Sequence, residues 1–258
     1  VFSKSDPSAP EGFFEAEAAG LRWLADAGGA PCVGVHRVAP GLIELDELRS
    51  TRPSREAARR FGELLAATHR AGADVFGAPP AGWEGPCFIG RRPMGIAAYD
   101  SWGEFYARER VRPYADQAVN RGNLSSDDHR LVLRACDLIE SGIMDDDEPP
   151  ARLHGDLWSG NVMWTPAGVV LIDPAAHGGH RETDLAMLTL FGAPFLDDIL
   201  SAYDHVAPLG EGWHRRVPLH QMFPLAVHAV GHGPSYGIEL GRAARAVIAL
   251  AEGAPPGA

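Results

Sequence analysis

Apolar positions along this chain recur at two spacings, and the switches between them mark out its elements. Val1-Phe2-Ser3-Lys4 reads as the end of a strand, and Ser5 to Gly12, with two prolines and a glycine, reads as a loop. Helical spacing follows: Phe14, Glu17, Leu21 and Leu24 share one face until Gly28-Gly29. Val33 to Val38 and Leu42 to Leu45 are predicted strands separated by Pro40-Gly41. Ser54 then caps a helix that turns Ala57, Phe61, Leu64, Leu65 and Thr68 to one side. The Gly- and Pro-rich stretch 76 to 100 is expected to be loop. It leads into a helix over 101 to 111, with Trp102, Phe105 and Tyr106 together. Another helix starts at the cap Ser126 and buries Leu131, Ala135, Leu138 and Ile139. The acidic run Asp145 to Glu148 then reads as a solvated linker. Val162-Met163-Trp164, the turn Thr165-Pro166-Ala167-Gly168 and four aliphatic residues make a β-hairpin. Apolar helices at 183 to 191, 195 to 206, 217 to 230 and 237 to 251 complete the pattern, without a fixed-period repeat.

Composition narrows the function classes. A chain of 258 residues with 45% hydrophobic content can bury a full core as one two-lobed domain or two small ones. A net charge of -11 and a pI near 5.4 argue against nucleic acid, which needs a basic face. No apolar run approaches the roughly 20 residues that span a bilayer, and no secretory signal pattern opens the sequence, so a cytoplasmic protein is expected. Cys32, Cys87 and Cys136 show no Cys-x-x-Cys spacing, so neither a disulfide framework nor a zinc site is suggested.

Candidate chemistry concentrates at His154-Gly155-Asp156-Leu157-Trp158-Ser159-Gly160-Asn161. An Asp and an Asn in this arrangement can share one tight loop, the carboxylate facing a substrate hydroxyl and the amide oxygen facing a metal ion bound to ATP. The hairpin after Asn161 returns Asp173 to it, where a second aspartate would serve as the main magnesium ligand. Read alone, Asn161 also fits a loop end and Asp173 a turn cap before Pro174; the conjunction with the hairpin favours the catalytic reading.

The strings HGDLWSGN at 154 to 161, IDPA at 172 to 175 and GHRETDLAMLTLFG at 179 to 192 resemble the fructosamine (ketosamine) kinases, a branch of the aminoglycoside phosphotransferase and protein-kinase-like superfamily. Weaker similarity at 13 to 24, 87 to 114 and the carboxyl-terminal helices extends the resemblance over essentially the whole chain. It implies an α+β, bilobal protein-kinase-like fold, with a small β-rich amino-terminal lobe over residues 1–50, a hinge near 43–47 and a larger, mainly helical lobe over 51–258. It also implies an ATP- and Mg2+-dependent kinase that phosphorylates a sugar hydroxyl of a small-molecule or protein-bound ketosamine.

Residue by residue, the resemblance makes Asp156 the catalytic base and Asn161 and Asp173 the metal ligands. Lys4 aligns the phosphates and is held by Glu17, with Glu15 as a competing partner; backbone groups at Glu44, Leu45 and Asp46 meet adenine. Trp158 stacks on the acceptor sugar, unless it is a core tryptophan, and His228 lies on the acceptor side. His228 and His232 also stand at a metal-ligand spacing, but zinc is disfavoured without a third ligand. His154 and Asp184 support the catalytic loop, with His180, Arg181 and Glu182 bracing it.

Two features depart from the family pattern. No glycine-rich strand-turn-strand precedes Lys4, so the sequence reads as starting inside the fold, with an exposed sheet edge and weak phosphate binding expected. Pro93-Met94-Gly95-Ile96 stands where members more often carry Pro-x-x-Asn, which puts acceptor preference in question. Three readings stay open: a ketosamine kinase, a kinase of the same fold for an aminoglycoside or other hydroxylated amine, and a nucleotide-binding pseudokinase.

Overall fold

A computed structural model describes residues 1–253. The chain opens with β1 (Phe2–Ser5) and α1 (Phe13–Ala25), followed by β2 (Val35–Ala39) and β3 (Leu42–Leu45). Both strands fall within a residue or two of their predicted places, and β3 pairs antiparallel with β1 and β2 in a sheet of order β1-β3-β2. α2 (Arg55–Arg70) starts as predicted, with Ser54 Oγ accepting the Ala57 amide at 3.2 Å.

The stretch read as loop contains a further hairpin, β4 (Cys87–Ile89) with β5 (Arg92–Met94). Its three-residue strands are too short for a recognisable period, and Pro93 sits in one of them. α3 (Trp102–Phe105) runs into a π-helical turn over Tyr106–Val111, then α4 (Arg112–Asn120). α5 (Ser126–Glu140) is capped by Ser125, whose Oγ accepts the Asp128 amide at 3.1 Å, one residue before the predicted cap.

The catalytic segment is bracketed by two short strands that alternation does not reveal, β6 (Ala151–Leu153) and β9 (His177–Gly179), which pair with each other. Between them the predicted hairpin forms from β7 (Val162–Thr165) and β8 (Gly168–Leu171). α6 (Arg181–Phe191), α7 (Leu196–Val206), α8 (Trp213–His232) and α9 (Pro234–Ala251) follow.

By packing, the described residues form two compact units, each discontinuous in sequence: residues 1–96 with 150–209, and 97–149 with 210–253. In the first unit, β7 and β8 bury Val162, Trp164, Val169 and Leu171 against Phe61 and Leu65 of α2 and Ile199 and Tyr203 of α7. A second cluster joins Phe14 and Leu21 of α1 to Ile43 and Leu45 of β3. Backbone bonds tie the hairpin to the amino-terminal region: Val33 donates to Leu171 O at 3.0 Å, and Leu171 donates to Pro31 O at 2.8 Å. These bonds link the hairpin that carries Asp173 to the segment between α1 and β2.

In the second unit, α8 contains Pro218 and Pro224. Pro224 has no amide hydrogen for the His220 carbonyl. The Tyr106 hydroxyl fills that gap, 2.9 Å from His220 O and 3.0 Å from Leu219 O, while it accepts the Phe223 amide at 3.1 Å. The acidic run is more than a solvated linker at Asp145, which caps α3 by accepting from the Gly103 amide and Ser101 Oγ at 3.0 and 2.9 Å.

Candidate active site

Asp156 follows a glycine that no other residue could replace without strain. Gly155 has φ 80°, and a Cβ there would lie 2.1 Å from Ala175 O. This close approach presses the loop against the segment after Asp173. A 3₁₀ turn over Ser159–Asn161 then brings Asn161 back to Asp156. Asn161 Nδ2 donates to Asp156 O at 2.8 Å, to Asp156 Oδ2 at 3.1 Å and to Asp173 O at 3.4 Å. With the nitrogen so used, Asn161 presents its amide oxygen as the remaining ligand atom.

Asp173 is one of three non-glycine residues with positive φ among the described residues, at 53°. Such backbone costs free energy and persists where the surroundings impose it. Here Asn161 O accepts the Ile172 amide at 3.2 Å immediately before it. The Asp173 carboxylate pairs with Lys4 Nζ, which also donates to Glu17 Oε1 at 2.7 Å. Lys4, Glu17, Asp156, Asn161 and Asp173 thus line one cavity of about 620 Å³. The carboxylates of Glu17 and Asp173 outweigh the burial of Lys4 and raise its pKa, so it is a fixed cation. Burial raises the pKa of Glu17 against the opposing pull of Lys4. Asp156 is lifted from the ordinary 3.8 to about 6, first by burial and then by the negative charges of Asp173 and Asp184, against the Asn161 hydrogen bond.

Behind the loop lies a buried polar chain. Asp184 Oδ1 accepts the Gly155 amide at 2.9 Å, and Oδ2 accepts the His154 amide at 2.8 Å and His69 Nε2 at 3.1 Å. His69 Nδ1 lies 2.8 Å from the Tyr203 hydroxyl. Burial alone would raise the pKa of Asp184, but the His69 hydrogen bond and the loop amides outweigh it and hold the pKa below the usual range. His154 Nε2 donates to Ile172 O at 2.9 Å and Nδ1 accepts the Asp156 amide at 3.2 Å, which defines a neutral ring. Burial lowers its pKa accordingly. His69 and Tyr203 escaped the sequence reading; a polar residue on the apolar face of α2 was the available signal.

The remaining candidates lie as follows. Trp158 is 40% exposed and lines the cavity, so it is not a core tryptophan; its ring covers Gly160 and meets Phe191 edge-on at 6.2 Å. Glu44, Leu45 and Asp46 do not line the cavity. Leu45 is in the core, while Asp46 accepts from the Gly34 amide at 3.1 Å and lies 2.7 Å from His36 Nε2. Glu15 makes no bond to Lys4, whose partners are Glu17 and Asp173. His228 belongs to the second unit, where Nδ1 lies 2.8 Å from Pro224 O and the ring lies tilted against those of His232 and Tyr236, both at 5.1 Å. Among the described residues, no third His, Cys or carboxylate joins His228 and His232 in a group able to hold a metal.

A carboxylate of raised pKa, a fixed lysine and a pair of oxygen donors at Asn161 and Asp173 can align a phosphoryl donor against a hydroxyl, and hard oxygen ligands suit a divalent cation of the magnesium type. Fold and site together define a phosphotransferase of the protein-kinase-like α+β class that acts on an alcohol group. A gentamicin-complexed aminoglycoside phosphotransferase shares the fold at TM-score 0.56 and 13% identity, covering 91% of this chain and 80% of that one. The sequence profile described as Fructosamine kinase matches residues 1–249, and the chain belongs to that family. It is similar to a crystal structure from Thermobifida fusca named as a candidate fructosamine-3-kinase, with TM-score 0.89 and 47% identity over 96% of this chain and 85% of that one. A protein of Enterococcus faecium named a probable ketoamine kinase is 31% identical over 241 residues, 93% of this chain and 84% of the relative. Among the described residues, no helix is long and apolar enough to cross a membrane.

Proposed function

We propose that the protein transfers the γ-phosphoryl group of ATP to a hydroxyl of a sugar joined to an amine through a ketosamine linkage, on a small molecule or a protein. The observation that carries this reading is the assembly of Lys4, Glu17, Asp156, Asn161 and Asp173 along one cavity in a member of the fructosamine kinase family. Residues 1–50 would be the nucleotide-side lobe, with backbone groups of the 43–47 hinge meeting adenine. The rest of the chain would carry the catalytic loop and the acceptor groups, Trp158 facing the sugar and His228 on the acceptor side. Dependence on ATP would place the reaction in the cytoplasm.

Asp156 accepts the hydrogen bond of the acceptor hydroxyl and holds its oxygen in line with the γ-phosphorus. As the new O–P bond forms, the bond from phosphorus to the bridging oxygen breaks and ADP departs with that electron pair. The hydroxyl proton passes to Asp156, whose pKa near 6 suits a base at neutral pH. Lys4, steadied by Glu17, donates to the phosphates. Asn161 Oδ1 and the Asp173 carboxylate would hold Mg2+, which supplies charge neutralisation when bound.

A coupled assay of ATP turnover over ketosamines, aminoglycosides and amino alcohols tests this reading. Turnover confined to ketosamines is expected. Turnover only with an aminoglycoside or amino alcohol would replace the acceptor class and leave phosphoryl transfer in place.

A further inference from the structure

The hairpin of β4 and β5 forms one wall of the catalytic cavity through Phe88, Gly90, Arg91 and Met94. Phe88 packs edge-on against Phe13 at 5.4 Å, which sets the hairpin against the start of α1. Two of the described side chains lining the cavity are cationic, Lys4 and Arg91. Lys4 pairs with Glu17 and Asp173 and is the cation that the function proposed above gives to the phosphates. Arg91 pairs with Asp6, and its Nη2 donates to Ser8 O at 2.8 Å and Ser8 Oγ at 3.3 Å.

The Asp6 pair is open to water, with the two side chains 52% and 32% exposed, so it is weak and easily exchanged for another anion. Asp6 does not depend on it. The Ser8 amide and hydroxyl already donate to Asp6 Oδ1 at 2.9 and 2.7 Å.

Position then decides which anion. Asp6 stands just past the end of β1, two residues beyond Lys4, where the chain turns back through the Ala9 amide bond to Asp6 O at 3.0 Å. The hinge side chains at 44 to 46 lie outside this cavity. A nucleotide held there would reach the cavity at Lys4 and leave the hairpin wall to the acceptor. From an attacked sugar hydroxyl, through the ketosamine nitrogen, to a carboxylate on the adjacent carbon is roughly 6 to 8 Å, at three bonds per 3.8 Å of extended chain. In the same wall Met94 is apolar and only 4% exposed, so recognition of a polar group there falls to Arg91.

Resting on the function proposed above, we infer that Arg91 selects the acceptor: its guanidinium exchanges Asp6 for a carboxylate beside the linking nitrogen, so ketosamines of amino acids are the favoured substrates. A planar guanidinium matches a carboxylate with two parallel hydrogen bonds, which an alcohol cannot reproduce.

The test compares kcat/KM for fructosyl-glycine and fructosyl-ethanolamine, which differ chiefly in that carboxylate. Arg91→Ala should lower the ratio of the two values by about tenfold or more, the scale of one lost charge-assisted hydrogen bond. Arg91→Lys should recover part of it, and Asp6→Asn should keep or raise it by removing the competing anion. An unchanged ratio in Arg91→Ala overturns the inference. So does a fall in Asp6→Asn that parallels Arg91→Ala, which would make the pair a structural clasp, or a raised KM for ATP at constant ratio, which would assign Arg91 to phosphate. Phosphorylation of neither probe would sink the ketosamine reading itself and this inference with it. Phosphorylation of both with no dependence on Arg91 would sink the inference alone.

Discussion

Asp156 at the front of the catalytic loop and Asp184 behind it are carboxylates withdrawn from water, yet burial leaves them with opposite character. Asp156 has one side-chain hydrogen bond, from Asn161, and faces other acids, and its pKa rises to about 6. Asp184 is more deeply buried but is met by two loop amides and His69, and its pKa falls below the ordinary value. The number of donors aimed at each carboxylate, more than its depth, separates a group that can take a proton from one that can only hold a loop. Linkage turns this into opposite effects on stability. Asp156 binds its proton more tightly in the folded protein, so its charge costs stability above about pH 6 and nothing below the unfolded value of about 4. Asp184 contributes stability above that unfolded value and loses it as pH falls through its depressed folded pKa.

The largest effect is expected from Asp184→Ala, which strands His154 N, Gly155 N and His69 Nε2 inside the protein. At about 1 kcal/mol or more for each unsatisfied donor, the loss should reach roughly 3 kcal/mol, read as a lower denaturation midpoint in urea. A loss below 1 kcal/mol would mean that the loop holds itself. Asp156→Asn should lower turnover by about 10²-fold or more, the scale of a positioned acid-base group. The same variant should be more stable than the parent at pH 7, by about 2 to 4 °C in Tm for each kcal/mol relieved. A lower Tm would break the contrast between the two aspartates. Next in size, kcat/KM of the parent should fall about tenfold per pH unit below pH 6, as protonation removes the base. A profile flat down to pH 5 would assign an ordinary pKa to Asp156. Tyr203→Phe removes the hydrogen bond to His69 at the far end of the buried chain, and should cost about 1 kcal/mol of stability by denaturant titration.

Much of the molecule is legible from local pattern, and the reason is physical. The strands over 35–39 and 42–45, the helix capped by Ser54 and the hairpin between Asn161 and Asp173 are written in periodicity, capping and turn chemistry, which act within a few residues. The short strands at 87–89, 92–94, 151–153 and 177–179 have too few residues to show a period and exist because their partners are supplied across the fold.

The same boundary runs through the site. From sequence alone came the loop residues Asp156 and Asn161, the returning Asp173, and, through the family resemblance, the pairing of Lys4 with Glu17. Residues this close in sequence, or this regular in a family string, carry their arrangement with them. Only the tertiary structure decided that Lys4 touches both Glu17 and Asp173, that Trp158 is exposed beside the cavity, and that Arg91 lines its wall. It also brought His69 and Tyr203, separated by 134 positions, into hydrogen-bond contact behind the loop. A carboxylate's basicity depends on the donors and charges within a few ångströms of it, and those neighbours come from elements far apart in the chain. Sequence therefore names the carboxylates of the loop, while packing sets when each holds its proton.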